Sequence, residues 1–440
     1  MSSNYLPPKA PMLHETFERL FNTGEGPNKK ATLVTFQVTE DCCMACTYCY
    51  QLNKKPHKMT FEVAKKFIDD LLNDKNELIN TSNTMSVCLD FIGGEPFMEI
   101  DLIEQIWEYY FKSMIDIKHP WLYLSYMSIC SNGLLLHTEK VQNFLKKYAH
   151  VCNLSVSVDG NKDLHDSCRI DLQGKGTYDR IINEIHKYRN YFGIMPGTKM
   201  TLAPSNIKYV EAAVKNLIAE GYNDIFLNCI FEPGWTEEHA TIFYYELKKI
   251  ADYFIENHLY DKVSLSLFEE NFFYPMDEEE NTNWCGGVAD QSVAIDYKGD
   301  MYPCIRYMDS SLNGEREPIC LGNVDRGYLK TEQDLNNYNK IFNITRRSQS
   351  TDECFYCPIA TGCAWCSAYN YQETGSVNKR VTHICIMHKS RALANVYFWN
   401  KVYKDFGVKK IFKNNLPKDE CLKIIPEEEY NLLQKLQEEN

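Results

Sequence analysis

The chain has 440 residues, 44% of them hydrophobic and 13% aromatic, and a formal net charge of −13. That length suits a barrel-sized domain with a smaller companion, and such aromatic content excludes a disordered tail. The acidic balance excludes broad phosphate-backbone binding, which needs clustered Lys and Arg, so no nucleic-acid partner is expected. No run of about 18 apolar residues occurs, so no membrane span is expected either. Residues 1–8 carry neither a basic n-region nor an apolar h-region, which reads as a cytoplasmic protein. In that reducing compartment, 18 cysteines arranged in tight groups point to metal or redox sites rather than a disulfide framework.

Residues 1–30 are polar and weakly patterned, and read as an N-terminal arm. From Leu33 the chain alternates between two periods. Residues 32–38 read as a strand, and Thr60 opens a helix that places Ala64, Phe67, Ile68, Leu71 and Leu72 on one face. A strand over Val87–Ile92 and a helix around Leu102–Lys112 follow. Further strands are predicted at Leu122–Cys130, Asn153–Val158, Lys199–Leu202 and Ile225–Cys229. Helices are predicted at Glu139–Lys147, Tyr178–Tyr188, Ile207–Glu220 and Glu237–Glu256. Six such alternations predict an α/β fold, a partial (β/α)6 barrel over residues 31–260 whose strand C-terminal ends form the ligand face. Residues 276–283 are an acidic loop inside a bridging and Cys-rich region, 261–405. A helix over 386–406 is predicted to pack back through Leu393, Ala394, Val396, Tyr397 and Trp399. The tail, 406–440, carries an amphipathic helix from about residue 415.

At the end of the first strand, Cys42, Cys46 and Cys49 form a C-x3-C-x2-C set with Tyr48 before the last Cys. Three thiolates on one short loop hold three irons of a [4Fe–4S] cluster and leave the fourth free to chelate an amine and a carboxylate. Gly93-Gly94-Glu95-Pro96 follows the second strand directly. Glycines there allow close backbone approach, and carbonyl or carboxylate oxygens accept from an ammonium. Ser131-Asn132-Gly133, Ser157-Val158-Asp159-Gly160 and Leu202-Ala203-Pro204 fall at later strand ends. In this order the motifs resemble the radical S-adenosylmethionine (SAM) superfamily. The resemblance implies that the GGEP segment runs along the methionine part of SAM. It implies that Ser131, Asn132, Ser157, Asp159 and Leu202 lie near the ribose, carboxylate and adenine, and that Arg169 meets the carboxylate. Taken alone, the Cys set also fits half a zinc site and GGEP also fits a turn. Cys43 is off the spacing, and Cys88, Cys130, Cys152 and Cys229 read as small hydrophobes within strands.

Downstream, Cys285, Gly299 and Cys304 give C-x13-G-x4-C, followed by Cys354-x2-Cys357-x5-Cys363-x2-Cys366 and then Cys385. This resembles the SPASM extension of radical SAM peptide-modifying enzymes, apart from a last spacing of two residues where three is usual. The resemblance implies two auxiliary [4Fe–4S] clusters, three in all with the SAM-binding one. Cys354, Cys357, Cys363 and Cys385 would hold the outer cluster, and Cys285, Cys304 and Cys366 the inner. Either Cys320 supplies the inner cluster's missing ligand or one iron stays open to a substrate thiolate.

The surrounding text, notably residues 346–351, 363–371 and 384–389, resembles maturases of precursors with CXXX repeats. That implies an enzyme that cleaves SAM to a 5′-deoxyadenosyl radical, abstracts a hydrogen from a ribosomally made precursor peptide and closes a Cys-sulfur-to-carbon thioether. A flavodoxin or ferredoxin would supply the electron. Residues before Leu33 are too few for a leader-binding domain of even about 50 residues, so a separate leader-binding protein is a candidate partner. The alternatives are a C–C crosslinking or epimerising maturase, an anaerobic sulfatase maturase and a non-catalytic Cys-rich peptide-binding scaffold. Ile305 and Arg306 follow Cys304 where a sulfatase maturase is expected to carry an Asp base, which counts against that alternative.

Overall fold

The computed structural model describes residues 30–79, 84–280, 285, 292–312 and 314–438. Most of the expected N-terminal arm and the end of the acidic loop lie outside them. Six strands follow one another in parallel: β1 (Lys30–Thr39), β2 (Thr84–Gly93), β3 (Tyr126–Ser131), β4 (Cys152–Ser157), β5 (Gly197–Leu202) and β6 (Asp224–Cys229). Helices α1 (Phe61–Leu72), α2 (Ile100–Ile117), α3 (Glu139–Tyr148), α4 (Lys162–Cys168), α5 (Tyr178–Phe192), α6 (Val210–Glu220) and α7 (Glu237–Glu256) lie between and after them. Val34, Phe36 and Val38 of β1 point to the helical layer. There Phe36 meets Phe67 of α1 edge-on at 5.6 Å and stacks on Phe91 of β2 at 5.7 Å. The opposite face is polar, and Thr35 Oγ1 donates to Asp90 Oδ2 at 3.1 Å.

Because the strands are parallel, all the connections leaving their C-terminal ends emerge on one face. The predicted motifs meet there by topology alone. The elements differ from expectation in a few places. Residues 119–125 form turns, with Leu122 N–H on His119 O and Leu124 N–H on Trp121 O, so β3 starts at Tyr126. Thr60 precedes α1 with extended backbone, but its hydroxyl makes no cap bond.

The sheet does not stop at residue 260. Two residues of β7 (Ser264–Leu265) pair with β6, and β8 (Ser292–Ile295) adds to the free side of β1 in parallel, with Leu33 opposite Ser292. Antiparallel β9 (Asp300–Tyr302), β10 (Gly322–Asn323) and β11 (Gly327–Tyr328) continue it outward, giving eleven strands in the order β11-β10-β9-β8-β1-β2-β3-β4-β5-β6-β7. Helices α8 (Glu332–Phe342), α9 (Arg346–Gln349), α10 (Asp352–Phe355) and α11 (Ser367–Thr374) carry the Cys-rich turns, and α12 (Cys385–Phe406) packs back on α7. Ser390 Oγ donates to Ala240 O at 2.7 Å, and Phe398 stacks on Phe268 at 4.2 Å. The tail is two helices, α13 (Lys418–Leu422) and α14 (Glu427–Glu438), with Pro426 between them. Glu429 accepts from Tyr244 and Lys248 of α7, each at 2.6 Å, so the tail is docked on the barrel.

Candidate active site

The loop after β1 is held from two sides. Ala45 N–H donates to Ile170 O at 2.9 Å and Thr47 N–H to Cys168 O at 3.0 Å, zipping the Cys loop to the segment after α4. On the other side Gly94 N–H donates to Thr39 O at 3.0 Å and Glu95 N–H to Asp41 O at 2.8 Å. A Cβ on Gly93 would lie 2.2 Å from Thr39 O, and one on Gly94 2.1 Å from Asp41 O. These glycines therefore let two loops touch. The sequence reading assigned them to close approach of a ligand, and here the closest neighbour is the Cys loop itself.

The thiols of Cys42, Cys46 and Cys49 come within electrostatic reach of one another. Burial pushes the Cys46 thiol up to about 11, opposed by the Arg169 guanidinium. A hydrogen bond from Cys43 pulls Cys42 down to about 6. Lys54 Nζ lies 3.5 Å from Cys49 Sγ, and Asn132 Nδ2 lies 3.7 Å from Cys42 Sγ and 3.3 Å from Cys43 Sγ. None of the 18 cysteines is in a disulfide. Three thiols flanked by two cations and an amide donor fit an anionic iron–sulfur cluster, with SAM as the ligand of the iron they leave over. Among the described residues, no three His, Cys, Asp or Glu side chains converge on the narrower frame of a single ion.

Glu95 is wholly buried, and its carboxylate is fully engaged. Ser131 Oγ donates to Oε1 at 2.7 Å, Phe97 N–H to the same oxygen at 3.1 Å and Asn132 N–H to Oε2 at 2.7 Å. Burial pushes its carboxyl up to about 7 despite these donors. Glu95 thus pins the GGEP turn to the Ser131-Asn132-Gly133 loop. Pro96 is buried behind it. Ser157 Oγ lies 3.9 Å from Cys130 Sγ at the end of β4. The structure does not bring Leu202 to the open face: its side chain is buried in the core and its carbonyl accepts from Ile230 N–H at 2.9 Å.

Beneath the Cys loop sits a buried polar cluster. Asp159 Oδ2 takes the Tyr48 hydroxyl and lies 2.9 Å from Arg169 Nε, while Oδ1 accepts from Thr201 N–H at 3.0 Å. The Arg169 guanidinium lies over the Tyr48 ring at 5.4 Å. His165 supports the arrangement. Its Nδ1 accepts from Asp159 N–H at 3.3 Å and its Nε2 donates to Thr177 Oγ1 at 2.9 Å, and the Thr177 hydroxyl donates to Arg169 O at 2.8 Å. Burial holds His165 down to about 3, so the ring is neutral. Sequence reasoning missed His165, although it lies within the segment that supplied Arg169.

The C-terminal thiols form two groups. Cys354, Cys357, Cys363 and Cys385 act electrostatically on one another. Cys304 is acted on by Cys366 and Cys285. Burial pushes Cys363 up to about 11 and Cys385 up to about 12. Cys320 does not join the second group. It donates to Gly322 O at 3.1 Å, and the charged groups acting on it are Asp300 and Arg326. Arg306 lies between the two halves of the site. Its guanidinium is 4.9 Å from the Tyr50 ring, next to Cys49, and Nη2 donates to Glu232 Oε1 at 3.2 Å, while Cys366 acts on it from the far side.

A family model for a 4Fe-4S single cluster domain matches residues 23–183. An uncharacterised protein of Methanocaldococcus jannaschii is 26% identical over 67% of this chain and 89% of its own length. A serine-type anaerobic sulfatase-maturating enzyme of Bacteroides thetaiotaomicron is 22% identical over 87% of this chain and 94% of its own. Among solved structures, anSMEcpe with bound AdoMet and Kp18Cys peptide superposes with a TM-score of 0.60 at 18% identity, over 85% of this chain and 99% of that one. Streptococcus suis SuiB bound to precursor peptide SuiA gives 0.51 at 15%, over 83% and 77%. With the Cys loop, the GGEP turn and the later strand-end motifs gathered on one face of a partial barrel, the chain is similar to radical SAM enzymes in fold and in the order of its motifs.

Proposed function

We propose that this enzyme matures a ribosomally made precursor peptide by joining a Cys sulfur to a carbon as a thioether. The observation that carries the reading is the unequal grouping of the auxiliary thiols, four in one set and three in the other, with Cys320 turned to Gly322. Cys285, Cys304 and Cys366 would hold an inner cluster one protein ligand short, which would leave a place for a substrate thiol to bind with loss of its proton. Peptides bound to anSMEcpe and SuiB support a peptide substrate here. When loaded, the SAM-binding cluster and SAM supply the 5′-deoxyadenosyl radical, and the auxiliary clusters accept the surplus electron. The protein's own groups bind and orient. Cys42, Cys46 and Cys49 hold the first cluster, and the GGEP turn and Asn132 border the methionine moiety. Arg169, anchored by Asp159, faces the carboxylate. A flavodoxin or ferredoxin is the proposed donor. Among the described residues no helix is long and apolar enough to cross a membrane.

The test is anaerobic co-expression with a short precursor peptide carrying CXXX repeats, followed by mass spectrometry. A loss of two hydrogens per crosslink and a matching loss of alkylatable thiol is expected. Loss of two hydrogens with every thiol still alkylated would instead indicate a C–C crosslink if the product does not react with a hydrazine and a Ser-derived aldehyde if it does, and an unchanged mass would sink the crosslinking reading. The second reading is a sulfatase maturase, favoured by the near full-length match to the serine-type enzyme. It would give an aldehyde on a single Ser or Cys and no crosslink.

Two variants probe the site further. Cys366→Ala should lose about four irons and all crosslinked product while still cleaving SAM, whereas Cys320→Ser should keep its iron and its product. Equal iron loss in both would restore Cys320 as a ligand. Glu95→Gln removes an acceptor for Asn132 N–H, at about 1–3 kcal/mol for a buried unpaired donor. We expect SAM half-saturation to rise roughly tenfold in a 5′-deoxyadenosine assay.

A further inference from the structure

A cavity lined by Cys363, Cys366, Cys385, Trp365 and Arg380 lies between the two C-terminal thiol groups. Arg380 comes from the turn after α11, and its backbone N–H is fixed on Gln349 O at 3.2 Å. Its guanidinium lies 5.1 Å from the Trp365 ring, with Nη1 4.0 Å from Cys363 Sγ. Nε and Nη2 are buried and have no hydrogen-bond partner among the described residues. A buried guanidinium left in that condition costs several kcal/mol unless something supplies acceptors.

The neighbouring cations differ. Lys389 acts on Cys357 and Cys385, but its ammonium is tied to Glu420 at 2.5 Å. Arg306, beside Cys366, is tied to Glu232 at 3.2 Å. Arg380 has no carboxylate partner among the described residues, and it acts on Cys363 and Cys357 of the outer group.

We infer that Arg380 is a positioning residue for the outer auxiliary cluster, donating from Nε and Nη2 to its sulfur atoms and raising its reduction potential so that it takes the electron released by crosslinking. The inference rests on the reading of Cys354, Cys357, Cys363 and Cys385 as cluster ligands. The couple is a one-electron step, [4Fe–4S]2+ plus one electron giving [4Fe–4S]1+. Reduction adds negative charge to the cluster, and a fixed cation with N–H donors favours that state.

The test is an EPR-monitored redox titration of the reconstituted full chain with dithionite. The Cys304→Ala background removes the inner signal. For Arg380→Gln, iron and sulfide should match the parent. The reduced-to-oxidised ratio at the parent's midpoint should fall about tenfold, which is 59 mV for one electron. The SAM-cluster signal should stay in place. Arg380→Lys keeps a charge without the planar fork and should fall by less. Full iron with an unmoved outer midpoint in both variants overturns the inference while leaving the proposed function standing. If Arg380→Gln cannot hold iron, Arg380→Lys decides by the same criterion. Parent protein that binds zinc in place of iron at these four thiols overturns the cluster reading itself.

Discussion

Cys46→Ala abolishes SAM cleavage: 5′-deoxyadenosine formation under dithionite should drop at least about a thousandfold, with about four irons lost per chain and the auxiliary iron retained. Cys46 is the middle thiol of its loop, acted on by Cys42 and Cys49 from its own set and by Arg169 and Asp159 from beneath. Two thiols cannot hold a four-iron cluster against solvent, and the neighbouring thiol on the same loop is Cys43. That thiol accepts from Asn132 at 3.3 Å and donates to Cys42, so it is committed to the loop. Cys43→Ser provides the control and should retain cleavage. Substantial cleavage by Cys46→Ala, measured anaerobically by chromatography, would mean that the first cluster is held elsewhere.

The second large effect concerns Asp159→Ala. Asp159 is fully buried, accepts from the Tyr48 hydroxyl and Thr201 N–H, and forms an ion pair with Arg169. Removing one partner of a buried ion pair leaves the other charge without compensation, at about 3–5 kcal/mol. Against a typical total of about 5–15 kcal/mol, that is a large share of the stability. We expect a lower thermal midpoint in the apoprotein and a loss of SAM affinity in the loaded enzyme, because Arg169 is then free to swing. Asp159→Asn keeps an acceptor for Thr201 N–H and sets an amide donor against the Tyr48 hydroxyl oxygen, and should be milder in both assays. An unchanged midpoint for Asp159→Ala would show that Arg169 finds another partner.

Much of the barrel was legible because its signals are local. Helix α7 runs over Glu237–Glu256 as predicted, closed at its start by the reciprocal bonds of Thr236 and His239. The start of β3 was misread because Leu122 and Leu124 look like strand residues but serve turns around Trp121. The tail was read as one helix because its amphipathic pattern runs through Pro426, which breaks it. At the site, cysteine spacing and the GGEP text were readable. What Glu95 grips was not, since Ser131 and Asn132 lie on another strand end. Arg380 carries no motif at all. Its significance comes from a turn that returns to Cys363 seventeen positions later, and no periodicity reports such an approach.

The placement of β8 beside β1 has a consequence for how the molecule is assembled. Strand β1 is synthesised long before its outer neighbour, which begins at Ser292. Until then the backbone groups of Leu33–Phe36 on that side have no partner strand, an exposed template for pairing with another chain. A fragment cut at residue 260 would keep the motifs for SAM yet present this bare margin permanently, and should aggregate instead of behaving as a miniature enzyme. The long wait between the two strands also makes the closing of this seam a late, high-contact-order event on the ribosome.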